Sequence, residues 1–338
     1  MIHLVQLGNG SSRRVAVVQE PRLRCLTEVL SVYELTKRSL ESGNKLSDLA
    51  LALAQGESLD YDAVYAGASE WRLLAPIDVP GEPSRLTVAG TGLTHLGSAK
   101  DRQAMHKNES QTVTETVTDS MRMFQWGLEG GRPAPGEIGI APEWFYKGTG
   151  GILRGPYEPL TVPAYAEDGG EEAELAGIYI IGENRAPYRI GMVAGNEFSD
   201  HKFEKRNYLN LAGSKLRTCS IGPELVVGAA FEAIAGEVRI QRGAKTIWSK
   251  KVETGEANMC HSLANLEHHH FKFESHRRPG DVHVHFFGAH SLSFGDGIEL
   301  QDGDWMEVRY DGFGRALRNS IRIETRSTDR IVTVQPLE

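Results

Sequence analysis

Glu172-Ala173-Glu174 opens the run LAGIYIIG (175–182), and the reading of this stretch decides the fold. It is a short, β-prone apolar run closed by Gly182, the pattern of a buried strand. On a strand, residues i and i+2 point to the same face, so Glu172 and Glu174 stand side by side. Like charges so placed repel and raise each other's pKa unless a cation lies between them. Hard carboxylate oxygens suit Mg²⁺, Mn²⁺ or Ca²⁺. Read alone, the pair is first of all a solvated strand end in the acidic loop EDGGEEAE (167–174), and a cation site second.

Further β-prone runs bounded by Gly, Asp or Pro surround this one: YRIGMVAG (188–195), GEVRIQRG (236–243), DVHVHFFG (281–288), DWMEVRYDG (304–312) and RNSIRIE (318–324). One helix, Ser262–Glu274, interrupts them. Regular helices do not separate the strands, so the pattern is a β-dominated α+β domain and not a βαβ array. Residues 1–85 read as a small α+β module. It has strands at Ile2–Leu7 and Arg14–Val18, a helix near Leu26–Ser42, and a second near Leu46–Gln55 whose Leu-Ala run predicts a buried face. Three prolines between Ala75 and Pro83 predict a linker, and the division falls between 1–85 and 86–338. A helix is expected over 112–128, ended by Gly130 and Gly131 and then by prolines.

The 338 residues carry a net charge of −8, which argues against a nucleic-acid partner. No segment reaches the roughly 18–20 apolar residues of a membrane span, and the first residues do not read as a signal peptide. Cys25, Cys219 and Cys260 are few, odd in number and far apart, as expected of reduced thiols in a cytoplasmic protein. With no CxxC, a structural zinc site is not expected.

Other residues join the acidic pair as candidates. Glu197, in GNEFSDH (195–201), follows a strand and is a third ligand or else part of a polar turn. Lys215 follows Gly213, which lets the chain approach a ligand; otherwise it is a surface lysine. Glu143 lies among aromatics in PEWFYK (142–147), where a raised pKa suits a general acid or base; otherwise it pairs with Lys147. His268, His269 and His270 on a helix point in three directions and do not share one ion. His283 and His285 alternate on a strand and could bind zinc, but no spaced carboxylate or thiol accompanies them. The GTG at 90–92 is too short for a dinucleotide fingerprint.

In order, the segments GTGLTHLGSAKD (90–101), Pro142–Lys147, Glu172–Glu174, Asn196–Ser199, Gly213–Lys215, SIGPEL (220–225) and a C-terminal Gly303-Asp304, Gly312–Gly314, Leu317–Asn319 pattern resemble the fumarylacetoacetate hydrolase superfamily. The resemblance covers roughly residues 70–325. It implies a mixed-sheet catalytic domain with a small N-terminal domain and a homodimer. It also implies a Mg²⁺ ion, or Mn²⁺, on Glu172, Glu174 and Glu197. The family usually has Asp at the third position, so Glu197 reaches one methylene further. His201 stands where Arg is common, and the usual TGTP-like segment is here Phe286-Phe287-Gly288-Ala289-His290. Ser98, Lys147 and His290 are the expected substrate contacts.

The family's hydrolases carry a His–Glu dyad that activates water. This chain has Ser98 and Asp101 at those positions, with His95 at the place of a tyrosine, so that route is lost. The resemblance then points to the sugar-acid dehydratase branch. It implies dehydration of a 2-keto-3-deoxy aldonic acid, the five-carbon arabonate first, to 2-oxoglutarate semialdehyde. Glu143 is expected to take the C3 proton, and Lys215 to stabilise the charge that develops on the 2-keto oxygen. Two alternatives stay open: a C–C hydrolase of an acylpyruvate-like diketo acid using His95 or His290, and a silent 2-oxo-acid binder.

Overall fold

A computed structural model describes residues 1–106, 118–325 and 331–337. Nine strands organise the large sheet: β1 (Ile2–Asn9), β2 (Ser12–Gln19), β3 (Arg22–Cys25), β4 (Leu86–Gly92), β5 (Glu143–Thr149), β6 (Ala173–Ile181), β7 (Pro187–Asn196), β8 (Leu225–Val227) and β9 (Val282–Phe286). Their order across the sheet is β3-β2-β1-β8-β7-β6-β9-β4-β5, with short strands at the margins. All these neighbours pair antiparallel except β9 and β4, which run parallel. A second sheet, among the described residues, has five strands and includes Ile234–Arg242, Trp305–Tyr310 and Leu317–Ile323. The architecture is α+β and strand-rich, as the sequence predicts.

β6 is buried along its whole length, so its alternation separates two cores. Ala176, Ile178 and Ile180 pack with Val282, Val284 and Phe286 of β9, and with Val32 and Leu35 of the helix Val32–Ser42. Leu175 packs on the other side, with Met192, Ala194 and Phe287, against Val238, Val308 and Leu317 of the second sheet. Burial of these side chains stabilises by roughly 1.5–3 kcal/mol each, which fixes the strand register at the site.

Several local expectations are corrected. The first helix begins at Val32, not near Leu26, because residues 22–25 form a strand and Glu28 takes φ +67; Ser31 caps it by accepting from Glu34 N. The second helix spans Leu46–Leu53; Ala50 is its fully buried residue and Leu51 is half exposed. The proline-rich stretch expected as a linker is packed instead, with Ile77 and Val79 buried in the first core. β1 of the N-terminal module pairs directly with β8, so the sheet is continuous across residue 85. The helix expected over 112–128 is seen as Asp119–Gly130; residues 112–117 lie outside the described residues. Ser262 caps a helix ending at Phe271.

No helix among the described residues is long and apolar enough to cross a membrane.

Candidate metal and active site

The end of the β6–β7 hairpin brings the three acids together. Ala173 pairs with Asn196, and Glu197 N donates to Glu172 O, so residues 172 and 197 adjoin across the ladder. Carboxylate oxygens of Glu172, Glu174 and Glu197 lie within 4.8 Å of one another, all buried. Two oxygens on one divalent ion, each at about 2.0–2.6 Å, are no more than about 5 Å apart, so the set matches one hard cation. Burial, and then the charges of Glu197 and Glu172, push the Glu174 carboxyl well above its ordinary range. A cation relieves that penalty. The donor set therefore fits Mg²⁺ or Mn²⁺. Its extra methylene does not remove Glu197 from the cluster.

Around the acids lies a ring of buried polar groups. Lys215 Nζ donates to Glu172 Oε1 and Glu197 Oε2, both at 2.6 Å, and to Ser199 Oγ at 2.8 Å. It also sits 4.6 Å from the centre of the Phe145 ring. Lys147 Nζ ion-pairs with Glu197 Oε1 at 2.5 Å and donates to the carbonyls of Phe198 and Lys215. Phe198 takes φ +50, a conformation uncommon for a bulky residue, and the lysine holds that turn. Neither lysine is a surface residue; both are fully buried.

His201 Nε2 lies 3.1 Å from Glu172 Oε1. Burial alone would lower this imidazole, but the bond to Glu172 and the charges of Glu172, Glu204 and Asp168 outweigh it, and the pKa is raised. His201 thus braces a candidate ligand. Gly288 N donates to Glu174 Oε2 at 2.7 Å, from a backbone at φ +102. The segment aligned with TGTP therefore contributes a backbone amide.

Glu143 sits at the start of β5, buried, and Tyr208 Oη donates a short hydrogen bond to its Oε2. Glu143 and Phe145 share one strand face, roughly 7 Å apart, and Lys147 follows them as the unpaired residue of a β-bulge. Lys147 touches Glu197, Phe145 underlies Lys215, and Glu143 comes next along the row. This face makes room through β4, where Gly90 opposes Phe145 and Gly92 opposes Glu143. A Cβ at either glycine would collide with the facing side chain. The GTG segment thus serves packing at the site.

The other expected contacts are placed differently. Ser98 and Asp101 share one helical turn, in the helix Leu96–His106, as expected. Ser98 Oγ, however, donates back to His95 O, and Asp101 accepts from Leu292 N. His95 is buried between the hydroxyls of Thr94 and Thr254, and burial, with His290 nearby, lowers its pKa to about 3. His290 Nδ1 bonds to Glu253 O. Lys147, expected on substrate, is engaged with the protein as described.

Sequence reasoning missed Tyr208 and Gly288, which carry no motif of their own. It also treated His270 and His283 as unrelated, yet the structure brings ring nitrogens of His270, His276 and His283 within 4.8 Å of one another.

No protein-family model matches the sequence, and no curated protein matches it. Solved structures do. A 2-keto-3-deoxy-D-arabinonate dehydratase complexed with magnesium and 2,5-dioxopentanoate superposes with a TM-score of 0.69 at 17% identity, over 96% of this chain and 99% of that one. The chain has the fumarylacetoacetate hydrolase fold. A fumarylacetoacetate hydrolase from Exiguobacterium antarcticum matches with a TM-score of 0.57 at 18% identity, over 96% and 100% of the two chains. A 5-carboxymethyl-2-hydroxymuconate delta-isomerase from Mycobacterium smegmatis matches at 0.55 and 15%, over 95% and 100%. Dehydratases, hydrolases and isomerases therefore share this fumarylacetoacetate hydrolase fold, and the chemistry has to be argued from side chains.

Proposed function

We propose that the protein is a divalent-metal-dependent hydro-lyase that removes water from a 2-keto-3-deoxy aldonic acid. The five-carbon 2-keto-3-deoxy-D-arabonate is the first candidate, with 2,5-dioxopentanoate (2-oxoglutarate semialdehyde) as product. One observation carries this reading: a buried Glu143 lies on the β5 face whose Lys147 ion-pairs with Glu197 of the carboxylate cluster, while the groups at the hydrolytic dyad positions are bonded to the backbone at His95 and Leu292. His95, the alternative base for hydrolysis, is held neutral with both ring nitrogens engaged. The neighbour complexed with magnesium and 2,5-dioxopentanoate supports the same reaction class.

Glu172, Glu174 and Glu197 would hold the ion, which supplies Lewis acidity towards the carboxylate and 2-keto oxygens of a 2-oxo acid. Lys147 and His201 fix the directions of Glu197 and Glu172. The Lys215 ammonium offsets negative charge growing on the 2-keto oxygen. Glu143 accepts a proton from C3; the electron pair forms the C3–C4 double bond, and the C4 hydroxyl leaves. A proton returned from Glu143, with Tyr208 in its hydrogen-bond line, makes the leaving group water. Loss of a proton at C5 and its return at C3 give the C4–C5 enol, and transfer of the enol O–H proton to C4 gives the aldehyde. The same reading keeps the homodimer and the cytoplasm as its expected assembly and compartment.

The test offers the purified protein 2-keto-3-deoxy-D-arabonate, acetylpyruvate and fumarylpyruvate, each with Mg²⁺ and with EDTA. The expected result is EDTA-sensitive 2,5-dioxopentanoate from the sugar acid alone. Pyruvate from the diketo acids, with no semialdehyde, would overturn the proposal.

A further inference from the structure

The sheet that holds the acids has a second polar cluster on its other face. Val282, Val284 and Phe286 of β9 point into the first core, so His283 and His285 point the opposite way, as Trp144 does beside Glu143. The helix Leu263–Phe271 and the following turn Glu274–His276 cover this face and bring His270 and His276 onto it. His270 stacks on His285 at 4.4 Å between ring centres, and Trp144 packs 5.6 Å from His276.

The hydrogen bonds of this cluster do not close. The Trp144 indole N–H can only donate, so His270 Nδ1, 3.1 Å away, accepts. His270 Nε2 then carries the proton and donates to His283 Nδ1 at 3.0 Å. His283 Nε2 is left with a proton, buried and without a partner; His285 Nδ1 is a second buried ring nitrogen without one. An unmet buried donor is destabilising. His276 donates from Nδ1 to the His270 carbonyl, which leaves its Nε2 lone pair available. Three imidazoles from a helix, a turn and a strand thus converge, with one lone pair already uncommitted.

We infer that His270, His276 and His283 bind a borderline transition-metal ion of the Zn²⁺ class, one per chain, with water in the fourth position. Two nitrogens each about 2.0–2.1 Å from a tetrahedral ion lie about 3.3 Å apart, close to the His270–His283 spacing. Imidazole nitrogens select Zn²⁺ over Mg²⁺, whereas the carboxylate face prefers the harder ion. The sheet therefore separates two metals by ligand chemistry. The absence of cysteine pairs hid this site, and the His268–His270 run pointed at the wrong neighbours: His268 is exposed, and only His270 of the three joins the cluster. The ion would staple the helix and its turn to β9. It would also require the Trp144 indole to release His270 Nδ1, which must carry the proton once Nε2 is a ligand.

The experiment uses the full chain stripped with EDTA, desalted, and returned to excess Mg²⁺ so that the carboxylates are filled. Co²⁺ is then titrated and displaced by Zn²⁺. The expected result is one Co²⁺ per chain with an intense four-coordinate visible spectrum, quenching of Trp144 emission that is absent in Trp144→Phe, and stoichiometric displacement by Zn²⁺. His276→Ala, at a half-buried position, and His283→Gln should lose the spectrum, while Glu174→Gln keeps it. Should His283→Gln fold poorly, His276→Ala decides. No Co²⁺ uptake with Mg²⁺ present, or uptake that survives His276→Ala and disappears in Glu174→Gln, overturns the inference.

Discussion

Glu143 faces Gly92 across the β4–β5 pair, and its carboxyl group fills the space that a side chain at position 92 would occupy. The relationship makes a glycine on one strand a condition for the acid on the next. Gly92→Ala should leave metal binding intact, because the acids of β6 and β7 are untouched. Turnover should fall by about 10²-fold, the cost of misplacing a reacting group by an ångström or so. Steady-state kinetics beside a Mg²⁺ titration checks this. Wild-type turnover in Gly92→Ala would remove Glu143 from the reaction.

Glu143→Gln keeps shape and hydrogen bonding to Tyr208 but cannot accept a proton. Turnover should fall about 10²–10⁴-fold. Exchange of the C3 hydrogens of the substrate with solvent deuterium, followed by NMR, should fall with it. Exchange at the wild-type rate would show that another group is the base.

Mg²⁺ or Mn²⁺ should raise the melting temperature, by mass action on the folded state: about 2.7 kcal/mol at one hundred times the dissociation constant. Glu174→Gln is the cleanest variant, because Glu174 is fixed by Gly288 N while the two lysines ion-pair with Glu172 and Glu197. Its melting temperature should no longer respond to Mg²⁺. A retained response places the ion elsewhere.

Lys147 distinguishes a substrate contact from a positioning group. With Lys147→Met, Glu197 loses one of two buried counter-ions, and removing one partner of such a pair costs about 3–5 kcal/mol. The expected signature is a lower melting temperature and weaker Mg²⁺ binding. A raised KM with stability and metal affinity unchanged would return Lys147 to the substrate.

His95 gives a pH test. Its folded pKa is about 3 against an unfolded value near 6.5, so the folded state disfavours its protonation. The stability it contributes is complete above about pH 6.5 and is lost as pH falls towards 3. His95→Gln cannot titrate. Wild type should be the more stable at pH 7.5, and the gap in melting temperature should narrow at pH 6, 5 and 4.5. A gap that stays constant would mean that His95 is not buried neutral.

What the sequence made legible has a local cause. Glu174 is on β6 with Glu172 just before it, Glu197 directly follows β7, and a hairpin joins the two strands, so strand alternation and the ladder's end bring the acids together. The turn of Ser98 and Asp101 is equally local. Roles that depend on distant segments were not legible. Nothing near Lys147 in sequence says that Glu197 and the carbonyls of residues 198 and 215 will surround it. Tyr208 reaches Glu143 from a turn 65 residues away, and Gly288 reaches Glu174 across 114. The proline-rich stretch misled because Pro marks the absence of a helix, while burial of Ile77 and Val79 is decided by what packs on them.

The pairing of β1 with β8 sets an order for synthesis. Residues Ile2–Leu4 find their partner strand, Leu225–Val227, roughly 220 residues later. At about 5–20 residues per second, a ribosome needs on the order of 10–45 s to deliver it. For that interval the nascent chain carries an open strand edge beside Leu4, which is fully buried once folded, and open edges template association with other chains. Arg72–Leu73 pairs with Leu7 and Gly8 and closes the far end of that edge early. The remaining three-residue gap is where translation speed and chaperone supply would set the yield of folded protein.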